Sequence, residues 1–189
     1  MIYLEEFLRR YPQLEPVRKD IEKAYDILKK AYENDHKLLV GGNGGSAADA
    51  EHIVGELMKT FRRDRPITYD MKQRLKRLDP ERGEQLAECL QCSLKAISIT
   101  GHTALTTAVT NDVEPKMGFA QQVFGYGDEG DVLLAVSTSG NAENLMLAVI
   151  TAKAKGLKIV LLTGKDGGKL LPFADAAIVV PENETDKIQ

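Results

Sequence analysis

The stretch from Gly41 to Leu57, GGNGGSAADAEHIVGEL, limits what this chain can fold into more than any other segment. It follows the apolar run Leu38-Leu39-Val40, which reads as a buried strand. Four glycines surround Asn43, and Ser46 stands ahead of the helix-forming residues 47–50, where it is the expected N-cap. A strand passing through a glycine-rich turn into a helix N-terminus makes an anion site. Its backbone N–H groups face outward, no side chain blocks approach, and the helix dipole favours negative charge. Further along the same helix His52 and Glu56 are four residues apart and share one face. That pair has three readings: a helix-face hydrogen bond, two donors of a zinc site that needs a third from elsewhere, or a catalytic pair in which Glu56 takes a proton from carbon beside a carbonyl. A phosphate cradle beside such a pair points to an enzyme acting on a small phosphorylated molecule.

The rest of the chain supplies the layers for such a strand. Residues 4–10 read as a short helix stopped near Pro12, and Glu15 to Tyr32 as a long one. In the long helix Val17, Ile21, Ala24, Leu28 and Ala31 form a heptad-like seam. The seam suits packing on a sheet and pairing with a second subunit equally well. Residues 1–36 are thus an N-terminal helical segment, and residues 37–189 carry the alternating pattern. Strands are expected at 37–40, 96–99, 131–136, 157–162 and 176–180, with helices at 46–61, 103–110, 117–125 and 143–155 between them. The fold class is α/β: a three-layer, doubly wound, five-stranded parallel sheet with a long N-terminal helix. Ligands of such sheets bind outside the carboxyl ends of the strands. The loops at 41–46, 100–102, 137–141 and 163–168 lie at that edge. Residues 67–84 are charged, with Leu75 and Leu78 as scattered anchors and a break at Asp79-Pro80, and read as a surface excursion with some helix.

Bulk properties exclude several classes. At 189 residues the chain makes one domain with a real core. A net charge of −3 argues against a nucleic-acid surface of the usual basic kind. No apolar stretch approaches a membrane span, and MIYLEEFLRR lacks the apolar region of a signal peptide, so a cytoplasmic protein is expected. Cys89 and Cys92 form a lone CxxC inside helical surroundings, which suits reduced, structural thiols better than a redox site. GGNGGS lacks the GxGxxG spacing and residues 164–169 do not satisfy the Walker A pattern, so no nucleotide cofactor is expected.

The second ligand loop is Ser137-Thr138-Ser139-Gly140-Asn141. A single cap needs one hydroxyl, so three in a row at a strand's carboxyl end favour a phosphate receptor. Arg62, Arg63 and Arg65 form either a solvated helix end or a patch that steers an anionic substrate. His36 precedes the first strand, at its far end, while His102 falls at the ligand edge.

Taken in order, GGNGGSAADAEHIVGEL, Thr110-Asn111-Asp112, GDEGDVLLAVSTSGNAENL, LTGKDGGK and Asp186-Lys187-Ile188-Gln189 resemble the sugar isomerase (SIS) domain family, and most closely its branch that isomerises sedoheptulose 7-phosphate. The resemblance covers most of the chain and implies aldose–ketose interconversion of a phosphosugar through an enediol. It implies that Asn43, Gly44, Gly45, Ser46, Asn111, Asp112 and Asn141 contact substrate and that Ser137, Thr138 and Ser139 hold the phosphate. It further implies that His52, Glu56 and Gln189 are zinc ligands in members that bind zinc, with Glu56 also the proton-transfer residue. Homotetramers with sites built by neighbouring subunits are implied as well. Three departures stand out. Ala142 replaces a family serine, residues 67–90 look inserted near the pocket mouth, and the sequence stops at Gln189, where the family continues into a helix bearing a further histidine ligand. A non-catalytic alternative is a binding protein on the same fold, as in the family's replication initiator-associating member.

Overall fold

The computed structural model describes residues 2–189. Five parallel strands form one sheet: β1 (Leu38–Gly42), β2 (Ala96–Ser98), β3 (Val132–Ser137), β4 (Lys158–Thr163) and β5 (Ala176–Val179). Their spatial order is β2-β1-β3-β4-β5, so the winding reverses between β1 and β3. The chain leaves the carboxyl ends of these two neighbours in opposite directions and opens a crevice there.

Period-two alternation divides the strands between two cores. Leu38, Val40, Val132, Leu134, Val136 and Val160 face one side, where Ala24, Ala31 and Ala50 meet them. Leu39, Leu133, Ala135, Ile159 and Leu161 face the other, against Val123, Leu145, Ala148, Val149 and Ala152. The helices α2 (Arg18–Glu33) and α3 (Gly45–Met58) cover the first face, and α7 (Gly118–Tyr126) and α8 (Glu143–Ala154) the second. Two sides covered explain why β1 and β3 are buried at every position. The seam on α2 therefore packs on its own sheet, through Ala24 and Ala31, whose small side chains bring the helix close. Ahead of it lie α1 (Ile2–Arg10) and a 3-10 turn, Pro12–Val17, which starts the helix three residues later than the seam suggests.

The charged stretch folds into two helices, α4 (Tyr69–Leu78) and α5 (Pro80–Cys89). Asp79 turns the corner: its carboxylate accepts from the amides of Glu81 and Arg82, and Pro80 opens the second helix. The helices meet at Gly83, where a Cβ would collide with the Leu75 carbonyl, and Lys76 pairs with Glu84 at 2.7 Å. Leu78 is no anchor, for it is 84% exposed at the tip of this hairpin. Beyond β2 come α6 (Thr103–Asp112) and, after β5, the short α9 (Thr185–Ile188). Both cysteines are exposed free thiols, and no helix of the described residues is long and apolar enough to cross a membrane.

Two carboxylates tie the strand ends opposite the ligand edge. Asp131, buried, accepts from the Lys37 and Asp128 amides at 2.9 and 2.8 Å and pairs with the Lys37 ammonium at 2.6 Å. His36 lies beside it, its Nδ1 3.8 Å from Asp131. Asp175 accepts from the Ile159 amide and pairs with Lys153 and Lys158. Burial opposes ionisation of Asp175, but the amide and the two ammonium groups outweigh it and hold its carboxyl below the ordinary value of 3.8. A depressed carboxylate stabilises the fold above that ordinary value and loses its contribution as pH falls through the folded value. Asp175→Asn should lower Tm near neutral pH by about 2–4 °C, for about 1 kcal/mol of lost charge-assisted bonding in a chain of this size. The gap from the parent protein should close as thermal melts are taken below pH 4, roughly the ordinary carboxylate range.

Candidate functional site

Where β1 ends, the backbone must swing outward and re-enter a helix within two residues. Gly44 does this at φ +57°, a conformation that L side chains rarely adopt. Helix α3 then begins at once with Gly44 as its N-cap, and no side chain caps it. The expectation that Ser46 caps α3 is therefore corrected: Ser46 lies one residue inside the helix, almost buried. Gly42 makes this seat possible, since a Cβ there would fall 2.7 Å from the Ser46 carbonyl oxygen. Gly45 is less constrained, because a Cβ there would meet only the end of the Gln189 side chain.

These constraints produce a cavity of about 380 Å³ at the β1/β3 crevice. Helix α3 lines it with Ser46, Asp49, His52, Ile53 and Glu56. The ends of β3 and β4 add Val136, Thr138, Leu162 and Thr163, and the C-terminal turn adds Ile188 and Gln189. The structure thus brings together Ser46, His52, Glu56, Thr138 and Gln189 from segments far apart in sequence. His52 Nε2 lies 3.0 Å from Glu56 Oε1, and the imidazole is largely exposed while the carboxylate is 39% exposed. One imidazole, one carboxylate and one amide oxygen, from His52, Glu56 and Gln189, are of the kinds zinc accepts. Among the described residues no three His, Cys, Asp or Glu side chains gather into a fuller metal set.

Other expected site residues have different work. Asn43 and Asn144 exchange reciprocal amide hydrogen bonds at 3.0 and 2.8 Å, joining the β1 loop to the first turn of α8. In the second loop the Gly140 amide donates to Ser137 Oγ and the Asn141 amide to Ser139 Oγ. Asn141 bridges the neighbouring loops, donating to the Ser139 carbonyl and accepting from the Lys169 amide. Among the described residues only the Thr138 hydroxyl of the three lacks a protein partner, and Thr138 lines the cavity. Ala142 leaves the N-terminus of α8 without a side-chain cap, so this loop also presents helix amides.

Asn111 and Asp112 do not join this cavity. They are exposed at the end of α6, where Asn111 donates to Asp112 at 2.7 Å. His102 caps α6 by accepting from the Leu105 amide. No residue of 67–90 lines the cavity. Asp49, Thr163 and Ile188 were not singled out from sequence. For Asp49 the signal existed: it precedes His52 by three residues and Glu56 by seven, which is one helix face. Thr163 and Ile188 lie within the LTGKDGGK and Asp186-Lys187-Ile188-Gln189 stretches, and both line the cavity only because the end of β4 and α9 meet there.

The fold and the switch-point cavity define a doubly wound α/β domain with a ligand site at the strand ends, and comparison with known proteins gives its family. The SIS domain family model matches residues 93–189, and a second SIS domain model matches residues 2–87. The chain is 39% identical to the phosphoheptose isomerase of a Nitratiruptor species, over 93% of this chain and 80% of that protein. Among solved structures, phosphoheptose isomerase GmhA from Neisseria gonorrhoeae superposes with a TM-score of 0.73 at 30% identity, covering 99% of this chain and 86% of the other. A phosphoheptose isomerase from Francisella tularensis gives the same score at 29% identity, covering 98% and 85%. The chain belongs to the SIS domain family, among its phosphoheptose isomerases.

If Thr138 receives a phosphate, Thr138→Val should weaken binding of a sugar phosphate or of inorganic phosphate about tenfold, the loss of one hydrogen bond to a charged group. Isothermal titration calorimetry measures it, and an unchanged Kd would remove Thr138 from the phosphate site.

Proposed function

We infer that this protein is a phosphosugar aldose–ketose isomerase that converts sedoheptulose 7-phosphate to the corresponding heptose 7-phosphate. The observation that carries the reading is the switch-point cavity, which gathers His52, Glu56, Thr138 and Gln189 in a chain 39% identical to a phosphoheptose isomerase.

The open-chain sugar would place its phosphate at the Thr138 loop and the N-terminus of α8, and its reacting carbons beside Glu56. Glu56 takes the proton from the ketose carbon next to the carbonyl, and the electron pair forms the enediolate double bond. The oxygen of the former carbonyl takes a proton, the neighbouring hydroxyl loses one, and Glu56 returns its proton to the carbon that had been the carbonyl. Atoms and electrons balance within the sugar. His52, 3.0 Å from Glu56 Oε1, orients the carboxylate and leaves its second oxygen for the transfer. If zinc were bound, His52 Nε2, Glu56 and the Gln189 amide oxygen would hold it in place of the His52–Glu56 hydrogen bond, and it would supply Lewis-acid polarisation of the substrate oxygens.

Asn111 and Asp112, exposed at the end of α6, suit contact with a neighbouring subunit's cavity in a homo-oligomer, a dimer or tetramer. Light scattering after size exclusion should then give a mass at least twice that of the 20.8 kDa chain. We place the enzyme in the cytoplasm because phosphorylated sugars are made and consumed there.

Assay of the purified chain against a panel of ketose phosphates tests the activity. Glu56→Gln should lower kcat by about a hundredfold or more while leaving the circular dichroism spectrum unchanged. Equal turnover by both proteins would exclude Glu56 as the proton carrier. Turnover of a pentose or hexose phosphate in preference to the heptose would reassign the substrate.

A further inference from the structure

Glu56 lies in the last turn of α3, where a helix leaves its final carbonyls without partners. No glycine or asparagine ends this helix. Its C-cap, Lys59, is extended at φ −131° and ψ 170°. The carbonyls are instead satisfied from one direction. Arg65 Nη2 donates to the carbonyls of Leu57 at 2.8 Å and of Lys59, with a longer contact of 3.4 Å to that of Glu56 itself. The Leu94 amide donates to the Leu57 carbonyl at 3.0 Å and Ser93 Oγ to the Met58 carbonyl at 2.6 Å. A guanidinium here also opposes the negative end of the helix dipole.

Arg65 is itself held. Its carbonyl accepts from the Cys92 amide at 2.6 Å, and Pro66 and Gln91 form an antiparallel bridge beside it. Its neighbours are differently engaged: Arg62 and Arg63 lie over the Tyr3 ring, and Arg63 donates to the Tyr3 hydroxyl. Of the three arginines only Arg65 turns inward to the helix end. Arg65 and Glu56 line a common groove, and Glu56 is the residue that this groove shares with the sugar cavity.

We propose that Arg65 is a positioning residue for Glu56: by bonding the carbonyls of residues 57 and 59 it fixes the turn from which the carboxylate reaches His52 and the sugar. The proposal rests on the role assigned to Glu56 above. All of these contacts come from one nitrogen, Nη2, whose two N–H groups serve the Leu57 and Lys59 carbonyls. Displacing a reacting group by about 1 Å can cost up to a hundredfold in rate. The phosphate loop and the Asn43 turn are built by other segments, so substrate binding should be spared.

The test compares Arg65→Met, Arg65→Lys and Arg65→Ala with the parent protein. For Arg65→Met, kcat should fall about tenfold to a hundredfold with KM within about twofold. The lysine variant should recover part of the loss, and low, non-denaturing guanidinium should restore activity to the alanine variant. Amide hydrogen exchange across residues 53–60, read without substrate, should quicken in the methionine variant while the sheet stays protected. A folded methionine variant with parent kcat and parent exchange overturns the proposal. So does a fall in kcat that only tracks the fraction of folded protein. If Glu56→Gln retains activity, the assignment of Glu56 fails, and the exchange measurement still decides whether Arg65 holds that turn.

Discussion

The close approach of Gly42 to the Ser46 backbone is the contact on which the site depends. With no side chain at residue 42, α3 starts directly on the carboxyl end of β1, and its first turn drops into the crevice made by the β1/β3 reversal. Any Cβ at that point would push the helix start outward. His52 and Glu56 would move with it, because they ride on the same rigid cylinder. Gly45 extends the constraint to the chain's other end, since its missing side chain leaves room for Gln189. One short glycine run thus sets the place of His52 and Glu56 and leaves room for Gln189, and the parallel sheet supplies the opposing wall through Thr138.

Much of the fold was legible because its signals are local. The short apolar runs at Leu38–Val40 and Val132–Val136, each followed by a loop rich in glycine or serine, read as strands covered on both sides, and the helices between them follow from residue spacing. The N-cap of α3 lies two residues ahead of the expected Ser46, since Ser46 has the chemistry of a cap while the positive φ at Gly44 decides where the helix begins. Leu78 was misread because the hairpin α4–α5 buries little of itself: an apolar residue in a charged segment looks like an anchor, yet this one sits at the tip.

The site was legible in part. His52 and Glu56 share a helix face in any helical reading, so their 3.0 Å contact follows from spacing. The serine-rich loop illustrates the limit. Hydroxyls look alike in sequence, and only the turn geometry shows that Ser137 and Ser139 receive loop amides while Thr138 lines the cavity. Asn43 is similar, since its partner Asn144 is a hundred and one residues away. Asn111 and Asp112 stand apart, exposed at the end of α6 and bonded to each other rather than to any residue of the cavity.

The helical hairpin has a different significance from its sequence. Its two ends, Pro66 and Gln91, meet in a single antiparallel bridge, so the chain departs from the body and returns to nearly the same point. Closing such a loop adds little entropic cost beyond that of a much shorter turn, because the cost grows only with the logarithm of length. The bridge is therefore a splice point. Segments of other lengths could be exchanged between residues 67 and 90 with the cavity wall left as it is, and whatever this hairpin contributes can vary independently of the chemistry beside it.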